Sequence, residues 1–133
     1  MKKIIFVCVH NSGRSQMAEA FAERLGSGRI VAESAGTKPS STGLNPVVVE
    51  AMREIGYDMS GHHPKMLTFE MLESADKAIT MGCGVDAASC PAALVPMEDW
   101  ALDDPKGKGI EAVRVIRDEI RERVERLIAD MTP

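Results

Sequence analysis

Residues 2–9 read KKIIFVCV, an apolar run rich in β-branched side chains, and residues 10–15 read HNSGRS, all small, polar or basic. A run with no polar alternation suits a strand covered on both faces, the kind that parallel sheets are made of. Parallel strands are joined only by crossovers, so the rest of the chain must supply helices between further strands. From Arg14 to Leu25 the apolar positions Met17, Ala18, Phe21, Ala22 and Leu25 recur at three- and four-residue steps, and Gly26 supplies a stop. RIVAESAG (29–36) reads as a second strand, the polar TKPSSTG as a turn, and a helix starts at about Asn45 with Pro46 in its first turn. TFEMLESA predicts a short helix, DKAITM (76–81) a third strand and AALVPM (92–97) a fourth. The long helix from about Gly109 puts Val113, Ile116, Ile120, Val124 and Leu127 on one face, with Glu119–Arg123 and Glu122–Arg126 as i,i+4 pairs outside. The expected fold class is therefore α/β, with a parallel sheet covered by helices on both sides.

At 133 residues and 44% hydrophobic content, the chain suits one core, and a single domain over 1–133 is expected. Net charge is −4 with 4% aromatic residues, so there is neither a basic stripe nor a stacking platform for nucleic acid. The opening lysines and apolar run lead into polar residues without a small-residue cleavage site, and no stretch nears the roughly 20 apolar residues of a membrane span. A cytoplasmic protein with no membrane partner is the expectation. Its three cysteines, Cys8, Cys83 and Cys90, are an odd number that argues against a permanent disulfide framework.

Ligands of parallel sheets sit beyond the carboxyl ends of the strands, and Cys8 stands at that end of the first strand. The loop that follows, Val9, His10, Asn11, Ser12, Gly13, Arg14 and Ser15, lies between a strand end and a helix start. Successive N–H groups in such a turn form an anion cradle, reinforced by the helix terminus. Gly13 relaxes the backbone, and the Arg14 fork can hold two oxygens of a tetrahedral oxyanion. In that field a thiol is drawn toward thiolate, which makes Cys8 a nucleophile with Ser15 near enough in sequence to donate to it. The plain alternative is a buried strand cysteine. A Walker-type loop is excluded because no Gly-Lys-Ser/Thr ending is present.

The segments VCVHNSGRSQMAEAF, AESAGT, ITMGCG, CP and DWALDDPKGK occur in the same order as in thioredoxin-coupled arsenate reductases. Over nearly the whole chain the sequence resembles that family, which shares the low-molecular-weight protein tyrosine phosphatase fold. The resemblance implies a three-layer fold with four strands in the order 2-1-3-4, and no tightly bound cofactor. It also implies that Cys8 attacks arsenate, that Cys83 displaces arsenite to form a Cys8–Cys83 disulfide, and that Cys90 then leaves a Cys83–Cys90 disulfide for thioredoxin to reduce. Phosphate or sulfate would fit the same loop. Asp104, before Pro105, matches the family's general acid, and Asn11 matches the residue that orients the cradle; Asp103 itself reads as a residue that caps or solvates the loop. His10 is expected to contribute mainly its backbone.

The bare spacing agrees with a relay but does not prove one. Seven positions separate Cys83 from Cys90, so their Cα atoms lie about 10 Å apart in a helix and about 23 Å in a strand. A disulfide needs about 4.4–6.8 Å, so that segment must bulge or unwind. If the first and third strands are neighbours, their ends are about 4.8 Å apart and Cys83 can reach Cys8. Alternatives are a zinc site that adds His62 and His63, or unrelated thiols.

Some members of the family bind potassium through residues matching Asn11, Glu19 and Ser34 together with an acidic residue in the stretch that reads GHHPK here. Lys65 stands where that carboxylate is expected, so its ammonium is expected to pair with Glu19 and replace the ion. Three readings of function stay open: arsenate reductase, phosphatase, and a non-catalytic redox or oxyanion sensor. The phosphatase lacks support from a second loop cysteine, where Ser12 or Gly13 stands, and from tyrosines after Asp-Pro. A monomer is expected.

Overall fold

The computed structural model describes residues 1–81 and 97–132. Elements run β1 (Lys2–Cys8), α1 (Arg14–Leu25), β2 (Ile30–Gly36), α2 (Pro46–Arg53), α3 (Phe69–Glu73), β3 (Lys77–Thr80), β4 (Met97–Asp99) and α4 (Ile110–Met131). The four strands are parallel in the order β2-β1-β3-β4, as expected. With β1 at the centre, its side chains alternate between two cores because successive residues of a strand face opposite ways. Ile4, Phe6 and Cys8 join the core built with α1, α2 and α4, whereas Ile5 and Val7 pack with Leu72 and Ala75 on the α3 side.

The helix starts follow local chemistry. Asn45 caps α2 by accepting from Val47 N–H at 2.9 Å with Pro46 next, and Thr68 caps α3 by accepting from Met71 N–H at 3.1 Å. Phe21, fully buried, meets Tyr57 edge-on with ring centroids 5.0 Å apart. Truncating it to Ala should cost about 3–5 kcal/mol.

The fourth strand departs from its expected bounds. Its described part, Met97–Asp99, begins on the last residue of the apolar run and extends two residues past it, while 92–96 lie outside the described residues. The register Ala78↔Met97, Ile79↔Glu98 and Thr80↔Asp99 keeps these acidic residues in the sheet, where Thr80 Oγ1 donates to Asp99 at 2.6 Å. An edge strand with polar side chains does not announce itself through hydropathy. On α4 the Glu122–Arg126 pair forms at 2.6 Å. The expected Glu119–Arg123 pair does not, because the Arg123 guanidinium lies over the Trp100 ring, 5.9 Å from its centroid. No helix among the described residues is long and apolar enough to cross a membrane.

Candidate active site

Beyond the carboxyl ends of β1 and β3 lies a cavity of about 880 Å³. Its floor is Cys8 and the loop residues Val9, His10, Ser12, Gly13 and Arg14, and its walls come from 38–46 and 104–107. The loop carbonyls point outward. Cys8 O accepts from Thr37 N, Val9 O from Lys38 N, His10 O from Ser40 N and Ser12 O from Asn45 N, at 2.8–3.1 Å. All peptides among the described residues are trans. The N–H that shares each plane therefore points the opposite way, so those of Val9, His10, Asn11 and Gly13 face the inner side of the loop. Gly13 begins α1 with no side-chain cap, so the first-turn N–H donors are left for an anion. Inward N–H groups of this kind are what an anion cradle requires.

Two glycines permit the close packing around it. A Cβ on Gly36 would stand 2.5 Å from Val9 O, and one on Gly13 would stand 2.9 Å from Pro105 Cγ. The first lets β2 run against the loop. The second lets the Asp-Pro loop close over it.

Cys8 is 4% exposed, and its Sγ accepts from Asn11 N–H at 3.0 Å and lies 2.9 Å from Ser15 Oγ. Asn11 Nδ2 donates to Ser15 Oγ at 2.8 Å, so the Ser15 hydrogen is free to turn to sulfur. Donors aimed at sulfur favour the thiolate over the thiol. Of the predicted loop residues, Asn11 and Ser15 thus sit behind the cavity and hold Cys8. Asn11 adopts φ 52, a left-handed conformation that asparagine tolerates. His10 Nδ1 lies 3.2 Å from Lys38 O, consistent with a scaffold role.

Arg14 is 5% exposed, and its Nη1 donates to Met81 O and Leu102 O at 2.8 Å each. Its Nη2 lies 3.7 Å from Asp104 Oδ2. One buried guanidinium thus joins the ends of β3 and of the segment after β4 to the loop, and draws the exposed Asp104 carboxylate to the cavity mouth. Asp104 Oδ1 also accepts from Lys106 N–H at 3.0 Å, a turn that fixes its side chain. Asp103 is exposed and is not among the residues lining the cavity.

Glu19 lies on α1 behind the loop. Its Oε1 accepts from Ser34 Oγ at 2.7 Å and lies 3.5 Å from Lys65 Nζ, while its Oε2 lies 3.4 Å from His62 Nδ1. Glu19, Glu23 and His62 bring ligand atoms within 4.8 Å of one another. Partial burial, and then the Glu19 charge, push the Glu23 carboxyl up from its ordinary value. An ammonium thus stands against the Glu19 carboxylate.

Cys83 and Cys90 lie outside the described residues, and the zinc alternative that needs them falls there too. The neighbour they depend on is in place: β1 pairs with β3, and Met81, two residues before Cys83, donates its N–H to Val7 O at 3.1 Å. Sequence reading missed Gln16. Its polar side chain interrupts no apolar stripe and looks like solvated face, yet α1 is buried on all sides from Arg14 to Ala22.

A buried thiol at a strand-to-helix junction of an α/β fold, with an arginine fork and an aspartate at the mouth of the same cavity, is an arrangement suited to cysteine-dependent handling of an oxyanion. The family model for low molecular weight phosphotyrosine protein phosphatase matches residues 3–132, and the chain belongs to that family. It is 40% identical to the glutaredoxin arsenate reductase of Synechocystis sp. over 133 residues, covering 99% of this chain and 100% of that one. A solved arsenate reductase in the phosphate binding state superposes with TM-score 0.89 at 40% identity, covering 99% and 100%. The thioredoxin-dependent arsenate reductase of Corynebacterium glutamicum superposes with TM-score 0.82 at 32% identity, covering 98% of this chain and 62% of that one.

Proposed function

We propose that this protein is an arsenate reductase working through a three-cysteine relay. Cys8 thiolate attacks the arsenic of arsenate held in the cradle, an As–S bond forms, and one oxygen leaves as water with a proton from Asp104. Cys83 thiolate then attacks Cys8 sulfur. The As–S pair stays on arsenic, As(V) becomes As(III), arsenite departs, and a Cys8–Cys83 disulfide remains. Cys90 attacks Cys83, frees Cys8 thiolate and leaves a Cys83–Cys90 disulfide, which an external dithiol reduces with two electrons.

The observation that carries this reading is the β1–β3 pairing, which brings the strand leading to Cys83 alongside the strand that ends at Cys8. A phosphatase needs the cradle but not the two further thiols. Among the described residues no Phe, Tyr or Trp lines the cavity, and Tyr57 is buried against Phe21, which weighs against phosphotyrosine. Small phosphomonoesters remain chemically compatible with the cradle, as a side activity. A sensor would need only one reversible oxidation rather than many turnovers.

For the donor we propose thioredoxin, since a Cys83–Cys90 disulfide suits a dithiol protein; the likeness to relatives named for glutaredoxin and for thioredoxin makes both proper arms of the test. We further propose that the protein acts as a monomer in the cytoplasm and needs no potassium, Lys65 standing in for the ion. The deciding experiment follows NADPH consumption with arsenate, reductase and either donor. Cys8→Ser, Cys83→Ser and Cys90→Ser should each abolish multiple turnover. Full turnover by Cys90→Ser with thioredoxin sinks the relay, and activation by potassium but not sodium sinks the lysine substitution.

A further inference from the structure

Gln16 is fully buried on the first turn of α1, behind the loop and out of the cavity. Its Nε2 donates to Asn11 O at 3.1 Å, Asn11 Oδ1 at 3.0 Å and His63 O at 2.9 Å, and its Oε1 lies 3.3 Å from His62 Nδ1. The Asn11 N–H and the Ser15 hydroxyl, which both meet Cys8 Sγ, depend on the pose of Asn11. Its backbone N–H points at sulfur only in the φ 52 conformation, which the Gln16 bond to Asn11 O braces. Its side-chain amide donates to Ser15 only when Oδ1 faces away, and Oδ1 is held there by Gln16 Nε2 and by Lys65 N–H at 2.9 Å. With the amide reversed, Oδ1 would accept the Ser15 hydrogen and take it from sulfur.

We propose that Gln16 is a positioning residue that holds the Cys8 thiolate in its ionised form through Asn11 and Ser15, a role that rests on the reading of Cys8 as the nucleophile. Gln16 reaches no cavity atom and touches no substrate. Its effect is to decide the direction of two hydrogen bonds one residue away. Because Lys65 N–H shares the hold on Oδ1, losing Gln16 weakens the arrangement without erasing it.

The test uses the full chain with Cys83→Ser and Cys90→Ser, which leaves Cys8 as the one thiol of three. Its alkylation rate by iodoacetamide is followed against pH, with a thermal melt on each variant to establish folding. Gln16→Met, similar in volume but without donors, should raise the inflection by about one unit, a tenfold slower reaction at pH below it. Gln16→Glu, isosteric but presenting oxygen where Nε2 donated, should raise it as well, and decides the matter if the Met variant does not fold. An inflection at the parent value in a folded variant overturns the proposal. A parent inflection at the ordinary thiol value of about 8.5 overturns the nucleophile reading first, and the role of Gln16 with it.

Discussion

Two polar clusters in this molecule follow opposite plans. Around Cys8, the residues Asn11, Ser15 and Gln16 are uncharged and 0% exposed, and each donor meets a fixed acceptor. On the seam between α2 and α4, Glu54 faces solvent and pairs with Arg114 Nε at 2.9 Å and Arg117 Nη1 at 3.1 Å. The Arg114 hydrogen bond, helped by the nearby Arg114 and Arg117 charges, lowers the Glu54 pKa to about 2. Water reaches Glu54 and Arg114, so the bond between them is exchangeable and its energetic weight is small, although Arg117 beneath them is buried. No water competes inside the buried cluster, so each bond has a direction that its neighbours dictate. The outer cluster helps two helices dock, whereas the inner one presents a sulfur to a cavity.

If that contrast is right, substitutions should divide by cluster, and the largest effects belong to the cavity. Arg14→Lys keeps the charge but loses the fork and the pair of bonds to Met81 O and Leu102 O. Arsenate kcat/KM should fall about 10³-fold, with sulfate protecting Cys8 from alkylation less well. Asp104→Asn should lower single-turnover arsenite release about 10²-fold while Cys8 alkylation is unchanged, since only the leaving oxygen loses its proton source. Asn11→Ala removes Oδ1 and Nδ2 from the buried cluster and should destabilise the fold by about 1–3 kcal/mol in urea titration. It should also slow alkylation of Cys8. At the small end, Glu54→Gln tests the outer cluster. A carboxyl lowered in the fold stabilises it above its unfolded value of 4.5, and that contribution is lost as pH falls toward about 2. The variant should match the parent in activity and show a flatter acid limb of melting temperature between those values. An activity loss there, or none for Asn11→Ala, would break the contrast.

How much of this was legible beforehand follows from the same distinction. The strand KKIIFVCV, the α1 stripe and the Asn45–Pro46 start are local signals, and each element formed where they pointed. The position of Cys8 at a strand end and the C-x5-R-S spacing came from sequence as well. Residues 98–99 were not legible as strand, because Glu98 and Asp99 carry no hydropathy signal and are drawn into the sheet by pairing with Ile79 and Thr80. Arg123 was assigned to Glu119 by spacing, and Trp100 from across the chain took it instead.

Sequence by itself determined that a thiol, an anion cradle and an arginine would share one strand-to-helix junction, because all three lie within consecutive residues whose local geometry places them together. It also determined that two further thiols follow the third strand. The family resemblance implied that β1 and β3 are neighbours and that Lys65 faces Glu19, whereas only the tertiary structure decided that Met81 and Leu102 anchor Arg14. Those contacts join residues far apart in the chain, and their existence depends on which buried faces pack together rather than on any local preference. Gln16 belongs to this second group, for its place in the sequence shows a helix and only the packing around α1 shows that it has no access to water.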